Sequence, residues 1–182
     1  MKLSLMLEKE IKTERLIIKS PQMDDAVDLT RLINDKSVVK WLSDIPFPYT
    51  VRHAEEFIER SQEKALKNES YNFMIFQKNK MLGGIGLTEF RNQSCELGYW
   101  LGKKYWRNGF ATEAVTAMLD FGFIQLNLKE IFASYKIGNE GSKRVLTKCG
   151  FQFNREKQEF DSVLLKEETL IEMIKINAAG DQ

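Results

Sequence analysis

From Phe110 onward, apolar or small side chains fall at Ala111, Ala114, Val115, Met118, Leu119 and Gly122, the i, i+3, i+4, i+7 spacing that lays one helical face on a core. This is the clearest helix signal in the chain. A second amphipathic helix is predicted over residues 51–66, capped by Thr50 after the loop Ile45-Pro46-Phe47-Pro48-Tyr49, whose two prolines lack backbone donors. Asp24 and Asp25, behind Pro21, open a helix running to about Asn34, and residues 141–148 form a short one. Alternation with a period of two predicts a strand over residues 94–102, with Cys95, Leu97, Tyr99 and Leu101 on one face and Glu96, Gly98 and Trp100 on the other. Residues 71–77 and 80–90 read as an antiparallel hairpin whose second strand carries Gly83, Gly84 and Gly86. Further strands are expected at 13–19, at 129–136 and from Phe151 onward. Residues 160–176 suit either period, and a last strand is placed near 169–176.

Composition narrows the picture. A chain of 182 residues with 43% hydrophobic and 11% aromatic side chains fits one globular domain over residues 1–182, with no repeat or low-complexity linker to divide it. A net charge of +1 provides no overall field to gather nucleic acid or an anionic membrane, so neither is expected as a partner. Residues 1–10 mix charge into every apolar stretch, and no run approaches the roughly 18 apolar residues of a membrane span. A soluble, cytoplasmic protein is expected. Cys95 and Cys149 lack CxxC spacing and His53 is the single histidine, so free thiols and no metal site are expected.

The chemistry concentrates where strand 94–102 meets the helix after Gly109. A helix start offers unpaired N–H groups and a partial positive charge, and a glycine there lets a diphosphate approach the backbone. Lys103, Lys104 and Arg107 add cations, although the same residues also suit a solvated turn. Neither GxGxxG nor GxxxxGK[ST] is present, which disfavours Rossmann and P-loop sites.

Three ordered segments carry a family resemblance: Glu96-Leu97-Gly98-Tyr99-Trp100-Leu101, then Tyr105-Trp106-Arg107-Asn108-Gly109-Phe110-Ala111-Thr112-Glu113-Ala114, then Asn139-Glu140-Gly141-Ser142 through Lys148-Cys149-Gly150-Phe151. Together with Thr13-Glu14-Arg15-Leu16 they resemble the GNAT N-acetyltransferases, in their RimJ/RimL-like branch, over residues 13–153. The resemblance implies an α/β fold in which a twisted, mixed, mainly antiparallel sheet of about seven strands is flanked by about four helices. Its fourth and fifth strands would part around the pantetheine arm of acetyl-CoA.

By the same resemblance the pyrophosphate motif falls on Lys104, Arg107 and Gly109, with Arg107 standing where the family has its first glycine. The amides of Asn108, Gly109, Phe110, Ala111 and Thr112 would bind the pyrophosphate, the main chain of Trp100 and Leu101 the pantetheine and acetyl carbonyl, and Asn139 the arm. Asn139 equally suits a turn-holding role. Acetyl transfer needs a neutral amine, so a base is expected: Glu96, with Glu89 in reserve. Many relatives place an acidic tyrosine at the position of Leu146; here Ser142 is the substitute acid, unless it caps its helix. Cys149 reads as core, and His53 as surface rather than substrate contact. Trp41, Phe47, Tyr49 and Phe90 are candidates for an acceptor pocket or for plain packing. The implied activity is acetyl transfer from acetyl-CoA to a primary amine, a protein N-terminus or a small molecule, by direct attack in a ternary complex; a non-catalytic CoA-binding sensor is the alternative. Homodimerisation is implied by analogy.

Overall fold

The computed structural model describes residues 10–177. The charge-mixed segment 1–10 therefore lies, apart from Glu10, outside the described residues. In chain order the elements are β1 (Glu10–Lys12), β2 (Ile17–Lys19), a 3-10 turn (Met23–Asp25), α1 (Ala26–Ile33), α2 (Lys36–Val39), α3 (Val51–Leu66), β3 (Tyr71–Gln77), β4 (Lys80–Arg91), β5 (Ser94–Leu101), α4 (Phe110–Asp120) with a π turn behind it (Phe121–Gln125), β6 (Glu130–Lys136), α5 (Glu140–Lys148), β7 (Gln152–Asp161) and β8 (Lys166–Ile176). All eight strands join one sheet in the order β1-β2-β3-β4-β5-β6-β8-β7, antiparallel except where β5 meets β6. This is the mixed, mainly antiparallel sheet that the resemblance implies, with eight strands among the described residues rather than about seven.

Helices cover both faces of the sheet. Ala114, Val115 and Met118 of α4 and Leu146 of α5 pack with Phe73, Leu87, Leu97 and Ile131 on one side. Leu29, Leu32 and Ile33 of α1 and Ala54 and Ile58 of α3 pack with Met74, Phe76 and Met81 on the other. Strand β3 is consequently buried on both faces, which is why Phe73, Met74, Ile75 and Phe76 run apolar without alternation. Gly83 belongs here too, because a Cβ on it would collide with the Trp100 carbonyl oxygen of the neighbouring strand.

Helix α3 starts where Thr50 was expected to cap it: its Oγ1 accepts from His53 N–H at 3.2 Å while His53 Nδ1 accepts from Thr50 N–H at 3.1 Å. His53 is thereby a capping residue. The expected strand over residues 13–19 is shorter than read, with only Ile17–Lys19 pairing. The Thr13 hydroxyl accepts from Leu16 N–H at 2.9 Å and folds the preceding residues into a turn. No period in the sequence marks helix α2, because a single turn capped by Asp35 has too few residues to show one. The last strand runs from Lys166, longer than expected, and lies between β6 and β7.

Strands β5 and β6 pair only at Ser94–Glu130, Cys95–Ile131 and Glu96–Phe132, then part. They are fifth and sixth rather than fourth and fifth, since β1 adds a strand at the start.

Candidate active site

The parted strands, the start of α4 and the start of α5 enclose a cavity of about 530 Å³. Of the expected residues, Trp100, Leu101, Arg107, Gly109, Phe110, Ala111, Thr112, Asn139 and Ser142 line it, whereas Glu96, Lys104 and Asn108 do not.

Gly109 precedes α4 at φ +80°, a left-handed conformation suited to glycine, and no side chain caps the helix. Helices α3 and α5, by contrast, have their first amides taken by Thr50 and Asn139. The first turn of α4 thus presents Phe110, Ala111 and Thr112 to the cavity without a side-chain acceptor, and Arg107, Arg144 and Lys148 line the same space. That cradle suits a diphosphate. Arg107 itself sits at φ +62°. The loop keeps the shape a glycine would favour even though an arginine occupies it.

A staple from the other end of the chain fixes this loop. Arg15 Nε donates to Glu113 Oε2 at 2.7 Å, Arg15 N–H to Glu113 Oε1 at 2.9 Å and Thr13 Oγ1 to the same oxygen at 2.5 Å. A further nitrogen of the guanidinium, Nη1, donates to the Asn108 carbonyl at 3.0 Å. The Asn108 side chain donates to the Trp106 carbonyl at 2.9 Å, so it braces the turn from within. Lys104 rests its ammonium over the Tyr105 ring, 4.8 Å from the centroid.

The register of β4 against β5 decides which backbone groups face the gap. Gly84 stands opposite Trp100, Gly83 opposite Leu101, and Gly102 N–H donates to Leu82 O at 2.8 Å. Bonded and non-bonded pairs alternate in an antiparallel ladder, so the main-chain groups of Trp100 turn to Gly84 and those of Tyr99 and Leu101 turn to the gap. The Leu101 carbonyl already accepts from the Trp106 indole N–H at 2.8 Å. The expectation that Trp100 and Leu101 act together through their main chains is revised accordingly: Trp100 contributes its side chain to the wall, and Tyr99 joins Leu101 at the open edge. Period-two alternation groups the Tyr99 side chain with those of Cys95, Leu97 and Leu101, and only the ladder's phase reveals its backbone.

On α5, Asn139 Oδ1 accepts from Ser142 N–H at 3.1 Å, so Asn139 caps the helix and leaves the Ser142 hydroxyl free of that duty. The Ser142 Oγ instead lies 2.8 Å from the Tyr99 phenol oxygen. Glu96 sits at the last β5–β6 pair, the closed end of the gap, with Lys157 Nζ 3.3 Å from its Oε2. Glu89, the reserve base, is exposed and pairs with Arg91 at 3.3 Å. Burial pushes the Cys95 thiol up to about 12 and also raises that of Cys149, so neither offers a thiolate nucleophile. Among the described residues no three His, Cys, Asp or Glu side chains converge as a metal site, and no helix is long and apolar enough to cross a membrane.

An uncapped helix start set beside cations, opening onto a gap between two strands with unpaired edges, has the charge and shape to receive a long diphosphate-bearing ligand. The chain belongs to the GNAT acetyltransferase family: residues 15–152 match the acetyltransferase (GNAT) domain. It is 33% identical to a Bacillus licheniformis protein described as an uncharacterized N-acetyltransferase, p20, over 77% of this chain and 80% of that one. In fold it is similar to the ribosomal-protein-S5-alanine acetyltransferase of Vibrio fischeri, with a TM-score of 0.82 at 23% identity, covering 94% of this chain and 98% of the other. Mycobacterium smegmatis RimJ in complex with CoA-disulfide gives a TM-score of 0.82 at 19% identity, covering 92% and 84%. The protein is an acetyl-CoA-dependent N-acetyltransferase.

Proposed function

We propose that the acceptor is the N-terminal amine of a protein, with ribosomal proteins as the leading class and small amines as the second, and that the enzyme works in the cytoplasm where such termini appear. The likeness in fold to a ribosomal-protein acetyltransferase supports the first class. The observation that carries the proposed site is the uncapped start of α4 facing the gap between β5 and β6. The amides of Phe110, Ala111 and Thr112, with Arg107, would hold the pyrophosphate, and the open edge at Tyr99 and Leu101 would receive the pantetheine arm. Acetyl-CoA supplies an activated acyl group.

The amine would enter past Ser37, Trp41 and Leu42, which line the cavity between α2 and β6. Its nitrogen bonds to the acyl carbon as the carbon–sulfur bond breaks, and the proton the nitrogen loses equals the one the sulfur gains. Glu96 would receive the amine's proton through water, because its carboxylate lies off the cavity wall. Ser142 would donate a hydrogen bond to the departing sulfur.

The test is CoA release with purified protein, acetyl-CoA and a panel of ribosomal N-terminal peptides and polyamines, beside calorimetry with acetyl-CoA. Transfer to at least one peptide is expected; binding without transfer to any amine would favour the sensor reading, and absence of binding would overturn the site. Glu96→Gln is expected to keep acetyl-CoA affinity while kcat falls about a hundredfold, the usual scale for a lost general base. An unchanged kcat removes Glu96 from the mechanism.

A further inference from the structure

Tyr99 reaches from β5 to the start of α5, where its phenol oxygen lies 2.8 Å from Ser142 Oγ and 3.3 Å from the Ser142 carbonyl oxygen. Both residues line the cavity. A phenol has one proton to give, so two arrangements compete. If Tyr99 donates to the carbonyl, the serine hydroxyl must turn its own proton back onto the phenol oxygen and has none for a ligand. If Tyr99 donates to Oγ, the serine proton is free to point elsewhere. The second arrangement puts the phenol proton on the shorter of its two contacts, 2.8 Å against 3.3 Å, and makes the more acidic hydroxyl the donor between the two, both of which favour it.

We infer that Tyr99 is a positioning residue, holding the Ser142 oxygen as an acceptor and thereby directing the serine proton into the cavity. The inference rests on the role proposed above for Ser142. Burial pushes the Tyr99 phenol well above the ordinary tyrosine value, which favours its keeping the proton while it donates to Oγ. Proton accounting is therefore unaltered: the sulfur ends with a proton equivalent to the one the amine loses, and the phenol stays neutral. Catalytic serines have a very weak acid at hand, and their contribution depends on orientation more than on acidity. A fixed donor on the far side of Oγ removes the rotamers in which the hydroxyl points the wrong way.

A double-mutant cycle tests this, using CoA release with spermidine and with a hexapeptide bearing a free N-terminal serine. Y99F is expected to lower kcat about tenfold, the scale of one misdirected hydrogen bond, with acetyl-CoA affinity held within about twofold. In an S142A background the same change is expected to cost nothing more. Wild-type kcat in Y99F beside a slow S142A, or losses that multiply in the double variant, would overturn the positioning role. Wild-type kcat in S142A would instead sink the assignment of Ser142 itself, so the two failures are told apart. A readout that needs no acceptor is the affinity ratio of CoA to desulfo-CoA by calorimetry at mildly alkaline pH. Y99F should lose about threefold of the preference for the sulfur-bearing ligand, and an unchanged ratio counts against the inference. Should neither amine be acetylated, that ratio decides alone.

Discussion

Arg107 holds a left-handed backbone at φ +62°, a region an L side chain enters at a cost of about 1 kcal/mol. A glycine there would relieve the strain while removing a cation from the cavity wall. Arg107→Gly is therefore expected to leave stability within about 1 kcal/mol of the parent, with the sign toward stabilisation, as thermal melts would show. Acetyl-CoA binding should weaken several-fold and respond less to added salt, since one charged contact to the phosphates is gone. Unchanged affinity at all salt concentrations would make the arginine purely structural. At this scale the sequence was readable where one residue type has one use. Gly109 before a helix marked a place where a ligand can approach the backbone, whereas an arginine in a left-handed conformation two residues earlier gave no sign of it. The phenol of Tyr99 was hidden for another reason: alternation assigns a face to a side chain and says nothing of which hydroxyl waits across the gap.

Helix α4 is held at its first turn by Glu113, on which Thr13 and Arg15 converge. Partial burial raises its carboxyl, but the bonds from the Thr13 hydroxyl, the Arg15 amide and the Arg15 guanidinium outweigh that and hold it below the usual glutamate range. A depressed folded-state value means that the unfolded chain takes up the proton first. The stabilisation is thus complete above the unfolded glutamate value of about 4.3 and lost as pH falls through the folded one. Glu113→Gln should lower stability near neutrality by about 1–2 kcal/mol and flatten the decline on acidification, which melts between about pH 3 and 7 would measure. It should also raise the KM for acetyl-CoA, because the turn it anchors carries the amides of the proposed cradle. A full acid dependence in the variant would deny Glu113 this part. The helices themselves were legible from period and caps, and α3 matched its expected bounds. The staple was not, because it joins segments far apart in the chain and leaves no local pattern. Short pieces such as β1 and α2 escaped for want of enough residues to repeat.

Across the whole molecule, Lys136 is the buried cation that ties the far half of the sheet to the cavity rim. Its ammonium pairs with Glu168, lies 3.6 Å from Asp161 and donates to the Leu42 carbonyl at 2.9 Å. Lys136→Met would leave the buried Asp161 carboxylate without a cation, take one of two ammonium partners from Glu168, which keeps Lys166 at 2.9 Å, and release the segment carrying Trp41 and Leu42. A loss of about 3–5 kcal/mol in denaturant unfolding is expected, and, under conditions where the variant stays folded, a higher KM for the amine with acetyl-CoA affinity preserved. A variant as stable as the parent would show the network to be incidental. The sequence indicated the overall class through three spaced motifs, yet a lone lysine at the end of a strand gave no hint of this junction, since charged strand residues are ordinarily solvated. One consequence follows from how few rungs join β5 to β6. Three residue pairs and the bond from Lys129 N–H to the Gln93 carbonyl at 2.8 Å are the backbone stitching of this seam, so beyond Glu96 no ladder joins the two plates of the sheet, and a ligand slotted between them would act as a wedge that fixes their edges. Deuterium should enter the amides of Tyr99 and Leu101 quickly in the ligand-free enzyme and slowly once CoA is added, while the amide of Trp100, already bonded on its other side, keeps the same pace throughout.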